Sequence, residues 1–129
     1  MAGQASHFVN YAQEKNPYAE KRYADEYDRL LAVMDMRLRN REFLAGELSI
    51  ADFASFPWVA PYRRLGNDLD NFANLRRWFD TLKVRAGVQD GMNLGSDWSR
   101  DEARNEEARA IIFDQTAETV FAAAAALED

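Results

Sequence analysis

Residues 47–59 read ELSIADFASFPWV and contain the signature of a helix start. Ser49 can act as the N-cap by accepting a hydrogen bond from the backbone N–H of Asp52, whose carboxylate can accept from the N–H of Ser49 in return. The Asp52 charge also lies at the positive end of the helix dipole. Nearly all of the remaining residues up to Val59 are apolar. This helix is therefore predicted to be buried in the centre of a domain.

Pro57 lies two turns inside this helix. Proline removes one backbone hydrogen bond and kinks a helix, so we predict a bend at this point. The helix is predicted to run to about Leu65, with Gly66 as the residue that stops it. The sequence therefore predicts a bent central helix that the other helices surround.

The rest of the chain also has helical periodicity. Asn16 and Pro17 form a cap and first-position pair that ends one segment and starts a long helix. No useful stretch alternates apolar and polar residues as a strand would. We therefore predict one all-α domain of five or six helices around a buried central helix. Besides the central helix, the predicted segments are about 3–15, 17–39, 71–85 and 100–127.

Composition and charge exclude several function classes. The chain has 129 residues, 16 basic and 22 acidic, and the two signs are interspersed, so no basic stripe for a nucleic-acid partner is present. It has no Cys and therefore no disulfide or thiolate nucleophile. The longest apolar run, 120–127, is too short to span a membrane. These features are compatible with a cytoplasmic protein that has neither a nucleic-acid nor a membrane partner.

Candidate residues for chemistry are few. His7 is the only His, so a catalytic triad would have to use it, and we assign no catalytic residue and no metal site. Arg22 can clamp a carboxylate with two parallel hydrogen bonds. Trp58 and Tyr62 can form the wall of an apolar pocket. The simpler alternatives are that Arg22 pairs with a neighbouring acid and that the two aromatic residues belong to the core.

Several motifs resemble one protein family over essentially the whole chain. The segment LSIADFASFPWV after FLAGE resembles the capping box and central helix of the C-terminal domain of cytosolic glutathione S-transferases. GQASHF, PYAEKRY and NLRRWFDTL are similar to the bacterial Nu-class-like branch, also described as disulfide-bond oxidoreductase-like transferases. Ala73 and Ala86 depart from the family pattern, which has Pro at both places. These departures weaken the signals for helix starts and ends more than they affect any binding residue.

The resemblance implies that the sequence is one half of an enzyme. Transferases of this family have an N-terminal thioredoxin-like domain that holds most of the glutathione site. Their helical domain supplies the hydrophobic wall for the second substrate and part of a dimer interface. Residues 1–129 resemble the helical domain only and begin late within it. Met1 is therefore expected to be an internal methionine of a longer reading frame or the start of a gene fragment.

The resemblance also implies roles for individual residues. Arg22 matches a family arginine that reaches glutathione from the helical domain. The family's activating Thr or Asn belongs to the other domain, so no residue here takes a catalytic role. The remaining matches are Gln4, His7, Trp58 and Tyr62, which are expected to face the cleft, and Ser49 and Asp52, which form a structural capping box.

Two functions remain open on the sequence. The first is the helical part of a transferase that uses glutathione as co-substrate, for conjugation to a hydrophobic small molecule or for disulfide reduction, as a homodimer when full length. The second is a stand-alone helical interaction module or an inactive fragment. In either case the isolated chain is expected to be inactive. The sequence does not specify the electrophile or disulfide.

Overall fold

The computed structural model describes residues 1–95 and 116–125, and the backbone there is helical apart from the connections and one isolated bridge between Phe43 and Gly46. The all-α prediction is confirmed. Residues 1–92 form one compact unit, and 93–129 form a second one. None of the described helices is both long and apolar enough to cross a lipid bilayer. The α-helices are α1 (Ala2–Ser6), α2 (Pro17–Leu38), α3 (Ile50–Val59), α4 (Ala73–Lys83), α5 (Ala86–Asn93) and α6 (Ala117–Ala125).

The first segment is shorter than predicted. After α1, the chain makes one π-helical turn over His7–Tyr11 and leaves the helical conformation at Ala12. The predicted restart is confirmed, because Asn16 Oδ1 accepts a hydrogen bond from Ala19 N at 3.0 Å and Pro17 is the first residue of α2. The buried residues of α2 are Ala19, Tyr27, Leu31 and Leu38.

The capping box of α3 is present. Ser49 Oγ accepts from Ala51 N at 3.3 Å, and Asp52 Oδ2 accepts from Ser49 N at 3.0 Å. The helix ends at Val59 and not at Leu65. Pro61 lacks the N–H that would continue the backbone ladder, and residues 62–65 form a separate 3₁₀ turn. The predicted stop at residue 66 is confirmed, since that glycine has a φ of 80°.

Burial of α3 is confined to one face, whereas the sequence predicted burial all round. Phe56 is 4% exposed, but Ile50 is 85% exposed, Phe53 45% and Trp58 56%. Ile50, Phe53 and the exposed Pro57 recur at three- and four-residue steps and so share one side of the helix, which Trp58 borders. The core of the first unit, built mainly by α2 and α4, occupies the other side. The carbonyl of Phe53, which Pro57 leaves without its usual donor, therefore lies on the exposed face.

One face of α4 contributes several residues to the core of the first unit. Leu75, Trp78, Phe79 and Leu82 are all buried. The ring of Phe56 stacks on that of Phe79 with centroids 5.0 Å apart. Such aromatic contacts between α3 and α4 fix the approach of the two helices.

The start of α4 differs from the prediction of a helix over 71–85. Residues 69–71 form a 3₁₀ turn, and the N-cap position is Phe72. Its side chain has no oxygen that could accept a hydrogen bond from the first N–H groups of the helix. Asp35 of α2 takes that role. Its Oδ1 accepts from Asn74 N at 2.8 Å and from Leu75 N at 2.9 Å, and its Oδ2 accepts from Asn74 Nδ2 at 3.0 Å. A carboxylate from one helix thus satisfies the orphan donors of another.

The last predicted segment, 100–127, is described only in part. Within it, α6 covers Ala117–Ala125, and Thr116 precedes it with Oγ1 accepting from Thr119 N at 3.3 Å. The rest of the predicted segment, residues 100–115 and 126–127, lies outside the described residues.

Candidate functional site

Aromatic rings join the first segment of the chain to α2. The rings of Phe8 and Tyr23 stack with centroids 5.3 Å apart and an interplanar angle of 8°. His7 meets Phe8 edge to face at 5.0 Å. These contacts place His7 beside the first turns of α2, where Arg22 is the neighbour of Tyr23 in sequence. We call His7, Phe8, Arg22 and Tyr23 the N-terminal cluster.

Arg22 is the cation of this cluster, and its side chain is 54% exposed. Its Nη1 lies 3.8 Å from Glu26 Oε2, which is outside hydrogen-bond range. Glu26 is instead held by Arg29, through two hydrogen bonds of 2.8 Å each. The hydrogen bond from Arg29 holds the pKa of Glu26 below its usual value, with burial acting against it. Arg22 therefore forms an ion pair with a neighbouring acid, as the simpler alternative predicted, but its N–H groups make no hydrogen bond to a described residue.

Trp58 lies at the end of α3 with its indole ring 56% exposed. A β-carbon built on Gly3 would be 3.7 Å from the edge of that ring, so the ring borders α1, where the exposed Gln4 is the next residue. The hydroxyl of Tyr27 donates to the carbonyl of Trp58 at 2.9 Å. Burial raises the pKa of Tyr27 to about 12, so this hydroxyl keeps its proton and its donor role at neutral pH.

The predicted site residues therefore fall into two groups. Gln4, His7, Arg22 and Trp58 are exposed or half-buried on α1, on the turn after it, near the start of α2 and at the end of α3. Tyr62 is 8% exposed and packs edge-on against Phe79 with ring centroids 5.8 Å apart. Tyr62 thus belongs to the core of the first unit and not to its surface.

Asp52 holds the first turn of α3 in place, and the sequence predicted only part of this role. It is fully buried, and its Oδ1 accepts from Leu44 N at 2.9 Å and from Trp78 Nε1 at 2.8 Å. These bonds tie the preceding loop and α4 to the start of α3. One signal was available in the sequence, since a buried Trp needs an acceptor and Asp52 is the only acidic residue in α3.

The N-terminal cluster is equipped for binding. It offers one exposed guanidinium, aromatic faces and nearby backbone, which suit an anionic ligand with an apolar part. Among residues 1–95 and 116–125, no group of three or more His, Cys, Asp or Glu side chains is arranged to hold a metal ion.

Comparison with known proteins identifies relatives of this chain. The family model described as the glutathione S-transferase C-terminal domain matches residues 4–85. The disulfide-bond oxidoreductase YfcG of Escherichia coli is 40% identical over 86 residues, which cover 66% of this chain and 40% of that protein.

Two solved structures are also similar. A glutathione transferase homologue from Lodderomyces elongisporus, solved with two GSH per subunit, is 32% identical with a TM-score of 0.65, covering 71% of this chain and 45% of that one. The glutathione transferase URE2P6 from Phanerochaete chrysosporium, in complex with oxidized glutathione, is 30% identical with a TM-score of 0.67, covering 76% and 47%.

This chain spans less than half the length of each of these three relatives. The match to the family model nonetheless covers more than half of the chain, and it includes α2, α3 and α4 together with their connections. The chain therefore belongs to the glutathione S-transferase family as a C-terminal helical domain.

Proposed function

We propose that this chain forms the helical side of a glutathione-binding site, in which Arg22 binds a carboxylate of glutathione. The observation that carries the proposal is that the Arg22 side chain is more than half exposed and its ion pair with Glu26, at 3.8 Å, includes no hydrogen bond. Glutathione has two carboxylates, and the planar fork of an arginine can hold one in fixed geometry. Gln4 and His7 flank this position and are proposed to line the same cleft.

The exposed face of α3 supports the second part of the proposal. Its apolar side chains, with Trp58 nearest to α1, are suited to the wall that receives a hydrophobic co-substrate. In this proposal a thioredoxin-like domain completes the glutathione site, and the whole protein is a cytoplasmic homodimer. Glutathione then acts as co-substrate, for conjugation or for the reduction of a disulfide.

The alternative, a stand-alone helical interaction module, is favoured by the same exposed face. Contiguous apolar side chains on a surface mark sites of protein–protein contact as well as ligand grooves. The two functions differ at Arg22, because a module of this kind has no need for a guanidinium that binds glutathione.

The isolated chain is expected to bind glutathione weakly, with a dissociation constant of roughly millimolar, because few contacts offset the cost of ordering the ligand. The measurement is an NMR titration of the ¹⁵N-labelled chain with glutathione at constant ionic strength. Saturable shifts are expected at Gln4, His7 and Arg22, and Arg22→Ala should abolish them. Lys21→Ala is the matched control, because Lys21 carries the same charge, is the residue before Arg22 and pairs with Asp25. Equal loss of binding in both variants would reduce the effect to net charge and contradict the proposal.

The isolated chain is also expected to lack conjugation activity. Residues 1–129 contain no Cys, and the proposal assigns activation of the glutathione thiol to the thioredoxin-like domain. The assay is turnover of a chloronitroaromatic acceptor with glutathione. Turnover well above the uncatalysed rate would show that the chain carries its own activating group.

A further inference from the structure

The end of α2 carries a second concentration of positive charge. Residues 37–41 read RLRNR, and Arg37, Arg39 and Arg41 line an open depression of about 530 Å³ together with Met36 and Asn40. At 1.5 Å of rise per residue, Arg39 lies roughly 25 Å along α2 from Arg22. The depression is therefore separate from the candidate glutathione site.

The charges at this end of the helix are not neutralised by acids. Near the start of α2, Lys21, Arg22 and Arg29 each have a carboxylate oxygen within 4.0 Å. In the part of the chain that the structure describes, no carboxylate lies within that distance of Arg37, Arg39 or Arg41. Three arginines without a close carboxylate thus lie within five residues of one another and line one depression.

Part of the cluster has a structural role that accounts for its position. Arg37 Nε donates to the carbonyl of Leu44 at 2.8 Å. Arg77 Nη2 donates to the carbonyls of Leu38 at 2.8 Å and of Arg41 at 2.7 Å. Cations at this place also oppose the negative end of the helix dipole. These bonds hold the guanidinium groups of Arg37 and Arg77 in place and leave several of their N–H donors unused.

Arg39 and Arg41 have no such role. Both side chains are exposed, and neither makes a hydrogen bond with a described residue. Asp35 attracts Arg39 through space, but the oxygens of Asp35 already accept three hydrogen bonds from Asn74 and Leu75. The guanidinium groups of Arg39 and Arg41 are therefore available to an external anion.

We propose that this depression binds a small multivalent anion, a molecule that bears phosphate groups or several carboxylates. Arg39 and Arg41 supply paired N–H donors, and Arg37 contributes the donors that its bond to Leu44 leaves free. A guanidinium matches the spacing of two oxygens in phosphate and carboxylate alike, so the binding is directional as well as electrostatic. The negative net charge of the chain disfavours diffuse accumulation of anions and confines binding to this patch.

The test is an NMR titration of the ¹⁵N-labelled chain with inorganic pyrophosphate, and in a second series with citrate, at constant ionic strength. Saturable shifts are expected at the amides of residues 37–41. Tighter binding of pyrophosphate assigns the site to phosphate, and tighter binding of citrate assigns it to carboxylates. The double variant Arg39→Ala with Arg41→Ala should weaken the better probe at least about tenfold.

The matched control is the double variant Arg64→Ala with Arg85→Ala, which removes the same charge from two other exposed arginines. It should change the affinity by less than about twofold. Equal weakening in the two double variants, or shifts that rise linearly without saturation, would overturn the proposal. Replacing Arg39 and Arg41 with Gln provides a second variant that removes the charge but keeps a polar side chain, and it should weaken binding as the alanine variant does.

Discussion

Asp52→Ala is expected to lower the free energy of unfolding by about 4 kcal/mol, because each buried donor left without an acceptor costs about 1–3 kcal/mol. The substitution removes the acceptor of the Trp78 indole N–H and of the backbone N–H groups of Leu44 and Ser49. Asp52 and Trp78 are fully buried, so water does not reach the indole N–H in the folded state, whereas Leu44 and Ser49 are half-buried.

A denaturant titration followed by circular dichroism measures this effect. Asp80→Ala is the control, because Asp80 also lies on a helix but is exposed and pairs only with Arg76. The control should cost less than about 0.5 kcal/mol. A loss below about 0.5 kcal/mol for Asp52→Ala as well would mean that its three donor groups find other partners or water, and that Asp52 does not hold the preceding loop and α4 to the start of α3.

Asp52 also predicts how stability depends on pH. Burial alone would raise its pKa, but the hydrogen bonds from Leu44, Trp78 and Ser49 outweigh burial and hold the pKa below its usual value. A carboxylate with a lowered pKa stabilises the folded state above its unfolded pKa, and this contribution is lost as the pH falls through the folded pKa. The chain should therefore lose stability below about pH 4, and Asp52→Asn should show a shallower loss over the same range.

Asp35→Ala is expected to cost about 3 kcal/mol, the second largest effect. Asp35 accepts two backbone hydrogen bonds at the start of α4, where the side chain of the N-cap residue Phe72 has no acceptor. This loss of stability combines about 1 kcal/mol for the lost cap with the cost of leaving the partly buried N–H groups of Asn74 and Leu75 without an acceptor. Because α4 carries the core residues Leu75 and Trp78, loosening its first turn weakens packing across the unit.

The same titration tests Asp35, with Asp25→Ala as the matched control on α2. Asp25 is exposed and pairs with Lys21 one turn earlier, so its loss should cost less than about 0.5 kcal/mol. Equal effects of the two substitutions would show that the N–H groups at the start of α4 are satisfied by water without Asp35.

The sequence predicted those parts of the fold that depend on neighbours along the chain. Asn16 with Pro17, and Ser49 with Asp52, are local signals, and both were found as expected. The bonds from Asp52 to Trp78 and from Asp35 to α4 join residues 26 and 39–40 positions apart. No local pattern encodes such pairs, because they depend on how the helices cross.

Burial and the candidate site were less predictable. The apolar composition of α3 indicated all-round burial, but composition does not tell which side of a helix neighbouring elements cover, and Ile50 and Trp58 are exposed. Arg22 was singled out by its pattern and by the family resemblance, and its loose contact with Glu26 needed coordinates. The arginines at 37–41 do not stand out in the sequence, because acidic and basic residues are interspersed along the chain.

The most direct measurement of the central claim is the glutathione affinity of a protein in which this chain follows a thioredoxin-like transferase domain. Arg22→Ala in that protein should weaken glutathione binding roughly tenfold, the effect of losing a charge-assisted bidentate contact. Its melting temperature should stay within about 2 °C, because Arg22 is exposed and makes no hydrogen bond in the described structure. Unchanged glutathione affinity together with a large loss of stability would assign Arg22 to the fold and contradict its role in the site.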